Sequence, residues 1–169
     1  MTVESLEIST QHNLLHPYKR GEKPPSFEEF LPFVKVADDD ERAKFLEVLR
    51  TLYGETSDVW MPGECRSTSY LERIVERLEQ EGKLGGVNLS PRTFAGGYHF
   101  FLLATMRDTG HELVIDPFGI PTTGESGWMA NKRTIVPFFG EIEQGSERQR
   151  QIYSKSTPLG PRGYYTFRP

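Results

Sequence analysis

A chain of 169 residues, 36% hydrophobic, 26% charged and 12% aromatic, has the size of one domain and enough apolar material for one core. That balance excludes wholesale disorder, and a net charge of -4 argues against nonspecific binding to nucleic acid or to an anionic membrane. The one cysteine permits no intrachain disulfide, which fits a reducing compartment.

The segment Met-Thr-Val-Glu-Ser-Leu-Glu is acidic and has no apolar stretch of the kind a secretory signal carries. No apolar run approaches the roughly 18 residues of a membrane span. A cytoplasmic protein with no membrane partner is therefore expected. Residues 1–25 end in Lys19-Arg20-Gly21-Glu22-Lys23-Pro24-Pro25 and are read as an N-terminal arm, with a single domain over 26–169.

Ser26 followed by Glu29 predicts a capped short helix through Phe30, with Pro32 bending or ending it. Asp38-Asp39-Asp40-Glu41 suits a second helix start, because the macrodipole favours negative charge there; a metal site in this acidic run is the weaker reading. Phe45, Leu46, Leu49, Leu52 and Tyr53 then form one apolar stripe, ended by Gly54. A third helix presents Tyr70, Leu71, Ile74, Val75 and Leu78 and stops at Gly82. It starts at the Ser69/Glu72 capping box or nearer Cys65.

The pattern then becomes strand-like. Tyr98-His99-Phe100-Phe101-Leu102-Leu103-Ala104 reads as a strand buried on both faces, and Asp108-Thr109-Gly110 as a turn. Leu113-Val114-Ile115 forms a return strand ended by Pro117. Thr134-Ile135-Val136 and Tyr164-Tyr165-Thr166-Phe167 are further strand candidates, and residues 120–127 read as a loop beside the site. Helices followed by antiparallel strands imply an α+β domain. The C-terminal part, residues 131–169, carries 3 acids against 7 bases. Its default reading is a solvated surface.

Cys65 before a helix, His99 in the first strong strand and Asp116 on the returning strand form the chemical signal. A free thiol, with a pKa near ~8.5, is mostly protonated at neutral pH, whereas the thiolate is the nucleophile. A helix N-terminus and an adjacent imidazolium both favour the anion. The imidazole then protonates the leaving group, and a carboxylate on its other nitrogen fixes tautomer and orientation. Placing His99 directly opposite Asp116 pairs Thr105 with Gly110 and leaves 106–109 as the hairpin loop. Asp108 is the fallback orienter. The Cys65 backbone N–H is a candidate oxyanion donor and the Trp60 indole N–H a second, although packing is the stronger reading of Trp60; Asn88 is a weaker candidate still. Gly96-Gly97, just before His99, reads as room for close approach of an extended substrate, with Gly97 and Tyr98 as candidate substrate-binding residues.

Gly63-Glu64-Cys65, His99-Phe100-Phe101 and Val114-Ile115-Asp116-Pro117 together resemble the transglutaminase-like core of the papain-like cysteine enzyme superfamily. The resemblance spans roughly residues 58–120. It implies N-terminal helices packed on an antiparallel sheet, and thioester chemistry on a protein, peptide or small amide substrate. Arg66 stands where members often carry an aromatic residue, and Phe118 follows Pro117 where a threonine is common.

The expected function is thus a thiol-dependent acyl-transfer enzyme acting through a Cys65-His99-Asp116 triad, as a peptidase, amidase or glutamine deamidase. A transglutaminase or peptide ligase using an amine acceptor passes through the same thioester. A non-enzymatic interaction domain on the same fold is the alternative from another class. His12, His16 and His111 show no metal-ligand spacing with one another or with Cys65 and are read as surface residues. The glycines make no phosphate loop, and no cofactor is expected.

Overall fold

The computed structural model describes residues 23–60, 62, 68–94, 99–121 and 135–158, with backbone alone for 68–71. Glu29 accepts the Ser26 N–H at 2.6 Å, which starts helix α1 (Phe27–Phe30) as its sequence predicts. Pro32 then forces the tighter turn Leu31–Phe33 before the short strand β1 (Val34–Lys35). Asp38 caps α2 (Asp39–Thr56), accepting the Glu41 N–H at 2.8 Å. This helix runs two residues past Gly54, because Thr56 is buried and its hydroxyl bonds back to Leu52. Helix α3 (Thr68–Gln80) ends with Lys83 N–H on Leu78 C=O and Gly82 N–H on Glu79 C=O, the paired bonds of a Schellman cap. Gly82 supplies the positive φ of 69° that this cap requires.

Four longer strands follow in part from period-2 patterning: β2 (Val87–Phe94), β3 (His99–Met106), β4 (Glu112–Pro121) and β5 (Ile135–Gly140). Helix α4 (Glu147–Ser154) and a short edge strand β6 (Thr157–Pro158) complete the described fold. The sheet order is β1-β5-β4-β3-β2-β6. The fold is α+β, but the sheet is mixed rather than wholly antiparallel, since β1 runs parallel to β5. No helix among the described residues is long and apolar enough to cross a membrane.

Alternating strand positions feed two apolar layers. Leu102, Ala104, Leu113, Ile115 and Phe139 join Phe45, Leu49, Leu52, Trp60 and Leu78 beneath α2 and α3. Phe101, Leu103, Val114, Ile120 and Phe138 meet Ile152 and Tyr153 of α4 on the other face. Residues 101–104 and 113–116 are thus buried on both faces, as a strand enclosed by helices must be.

Two differences from the sequence reading matter for function. Leu102 pairs with Ile115 and Thr105 with Glu112, so the hairpin loop is 107–110 rather than 106–109. Strand β4 also passes through Pro117 by means of a bulge, with three residues between Asp116 and Ile120 facing one between Phe138 and Val136. Gly119 makes the bulge possible. Its φ is +72°, and a Cβ there would lie 2.7 Å from Ile135 Cγ2 and from the Val136 carbonyl carbon. Gly119→Ala is therefore expected to destabilise the fold by about 2–4 kcal/mol, read as a lower denaturant midpoint.

Candidate active site

The bulge positions a carboxylate. Asp116 is the last paired residue before it, and the Gly119 N–H donates to Asp116 Oδ1 at 3.0 Å. His99 Nε2 lies 2.7 Å from Asp116 Oδ2, and the Tyr153 hydroxyl donates to the same oxygen at 2.6 Å. His99 and Asp116 are not directly opposite. The observed register makes them diagonal neighbours on one face, a separation that a histidine and an aspartate can span.

All three side chains are buried: His99 and Tyr153 are 2% exposed and Asp116 is 0%. A carboxylate can only accept hydrogen bonds, so Nε2 is the donating nitrogen in the His99–Asp116 contact. The ring is steadied by Phe101, stacked at 5.9 Å. Tyr153 in turn sits against the Phe101 and Phe138 rings at 5.0 and 5.3 Å. Arg148 anchors α4 to the end of β4 through Pro121 C=O at 2.8 Å, and Arg92 reaches Ser156 C=O at 2.7 Å. Two bases of the basic C-terminal part, Arg148 and Arg150, thus bind backbone carbonyls of this chain.

Burial raises the Tyr153 pKa well above its ordinary value of 10.0, and the negative charge and hydrogen bond of Asp116 push it the same way. The phenol stays a donor throughout the neutral range. In the unfolded chain it releases its proton near ~10, while the folded protein holds it. The stabilisation is therefore complete below about 10 and is lost as pH rises towards the folded value. Melting temperatures measured between about pH 9 and 11 are expected to fall more steeply for the wild type than for Tyr153→Phe.

Comparison with protein-family models, curated proteins and solved structures finds no match. The chemistry must be read from the side chains. His99 and Asp116, singled out in the sequence, are brought together. Cys65, Gly97 and Tyr98 lie outside the described residues, as do 122–127 and the 164–167 strand candidate.

Trp60 does not serve as an oxyanion donor in this arrangement. It is 1% exposed in the helix-side core, and its indole N–H is committed to Thr56 Oγ1 at 2.8 Å. Asn88 pairs with Thr105 near the far end of β2 from His99 and accepts from Arg107. Asp108 is exposed and faces Lys44 at 3.3 Å, so it cannot orient His99. His111, read as a surface residue, is partly buried against Glu41.

Tyr153 was not legible as a site residue. Its helix has a sequence signal, Ser146 with Gln149 three residues on, followed by Ile152 and Tyr153 at core spacing. Nothing in that signal says which strand residue the hydroxyl will meet. A cavity of about 500 Å³ lies at the opposite end of the sheet, between α2 and the β3–β4 hairpin, and includes neither His99 nor Asp116. The described lining of that cavity holds carboxylates and lysines but no imidazole or thiol, so side-chain chemistry rather than cavity size guides the choice of site.

Proposed function

We propose that the protein is a thiol-dependent acyl-transfer enzyme with a transglutaminase-like core of the papain-like kind, in which Cys65 attacks an amide or ester carbonyl. The observation that carries this reading is the buried His99–Asp116 pair, braced by Tyr153 and Gly119. With Nε2 held by the carboxylate, Nδ1 is the nitrogen that takes the thiol proton. The sulfur–carbon bond forms as the tetrahedral intermediate, whose oxyanion the Cys65 N–H is suited to bind. Collapse expels the amine or alcohol, protonated by His99. Water, deprotonated by His99, then opens the thioester to a carboxylic acid and restores the thiol. Hydrolysis is the favoured outcome, giving peptidase, amidase or glutamine deamidase activity on a protein, peptide or small amide. An amine acceptor in place of water gives transglutamination or ligation.

A second reading has support of its own. The depth of burial of His99, Asp116 and Tyr153 also suits a structural cross-brace in a non-enzymatic interaction domain. Alkylation separates the two. At pH 6 a paired thiolate is expected to react with iodoacetamide far faster than a free thiol of pKa ~8.5, at least about tenfold. Cys65→Ser should remain folded and lose all turnover. A native Cys65 that reacts no faster than a free thiol favours the cross-brace.

A further inference from the structure

The end of the sheet remote from His99 gathers a second set of functional side chains. Strand β1 lies beside β5, and β5 beside β4, so three connections converge there. These are the start of α2, the β3–β4 hairpin and the segment after β5. They deliver Glu41, His111 and Glu141, whose ligand-capable atoms all lie within 4.8 Å of one another. His111 Nδ1 is 2.6 Å from Glu41 Oε1. All three residues are partly buried, and the Glu41 side chain is only 13% exposed.

From this geometry we infer a binding site for one divalent transition cation of the zinc type, held by Glu41, His111 and Glu141. One imidazole and two carboxylates are a donor set that such ions take, at about 2.0–2.2 Å from each ligand atom. Ligand atoms on one tetrahedral ion of this kind stand roughly 3.3–3.6 Å apart, so the trio needs only small side-chain rotations, including opening of the Glu41–His111 contact. The electrostatics favour a cation as well. Two carboxylates share the site with a single imidazole.

The cluster is more than a set of surface acids, because an imidazole from a third segment meets the two carboxylates. Outer contacts already orient Glu141: its Oε1 accepts from Ala37 N–H at 3.4 Å, and its Oε2 from the Gln144 amide. Glu41 also lines the 500 Å³ cavity, which gives an ion a route in and room for bound water. The site stands independently of the proposed thiol chemistry.

The test is titration of the chelator-stripped full chain with ZnCl2, followed by calorimetry, and with CoCl2, followed by visible absorption. One equivalent should bind, with His111→Ala and Glu141→Gln each weakening binding about 10–100-fold. Melting curves check that each variant is folded, and the glutamine variant carries the test if the alanine variant is not. Cys65→Ser and a His12→Ala/His16→Ala double variant should bind as the wild type does. The inference is overturned if the wild type takes up no ion, if both site variants bind undiminished, or if binding is lost with Cys65 or with the two N-terminal histidines.

Discussion

Asp116→Ala is expected to lower turnover of an activated acyl ester by about 10³–10⁴-fold and to cost about 3–5 kcal/mol of stability. Both effects have one origin. The carboxylate is the acceptor for Tyr153 O–H, Gly119 N–H and His99 Nε2–H, all enclosed by protein. Removing it leaves these donors buried and unpaired, and lets the imidazole turn or change tautomer. Asp116→Asn should recover part of both losses, because an amide oxygen can still accept from His99 while its NH2 opposes one of the other donors. Denaturant midpoints and ester hydrolysis, measured where each variant is folded, separate the two effects. If turnover falls only in proportion to the unfolded fraction, Asp116 has no part in catalysis.

Trp60→Ala is expected to cost about 3–5 kcal/mol, a large share of the 5–15 kcal/mol typical of a domain. The indole stacks on Phe139 at 5.6 Å and meets Phe30 and Tyr53 edge-on at 5.4 and 5.2 Å. Its removal opens a void at the junction of α1, α2 and the sheet. Trp60→Phe keeps most of the packing and loses only the bond to Thr56, so it should retain the catalytic rate of the wild type. Loss of one oxyanion donor would instead cut that rate by about 10²–10³. The pair of variants therefore tests the packing role of Trp60, the stronger reading of its sequence position, against an oxyanion role.

How much of this was legible in the residues follows from which forces are local. Caps at Ser26 and Asp38, the stripe of α2 and the stop at Gly82 depend on neighbours within a turn, and the structure agrees with each. Strand β2 escaped notice because Pro91 and the polar residues around it mask the alternation begun by Val87 and Leu89. Helix α4 escaped because its apolar face is only two residues deep. The hairpin pairing moved by two residues, Thr105 meeting Glu112 instead of Gly110, since Gly110 N–H closes on Met106 C=O and the loop moves one position on. His99 and Asp116 still meet, because a diagonal pair on one face tolerates that shift. The bulge at 117–119 was not foreseen, because Pro117 reads as the end of a strand when its clearance from β5 is unknown. Tyr153 and the Glu41–His111–Glu141 cluster join segments far apart in the chain, which periodicity cannot reveal.

The parallel pairing of β1 with β5 also sets the timing of assembly during synthesis. Ala37 and Glu141, hydrogen-bonded at this edge, stand 104 positions apart. At about 5–20 residues per second, the N-terminal strand waits roughly 5–20 s on the ribosome for its partner to be made. During that interval Phe30 lacks the edge-on ring contact at 5.7 Å that Phe139 later gives it.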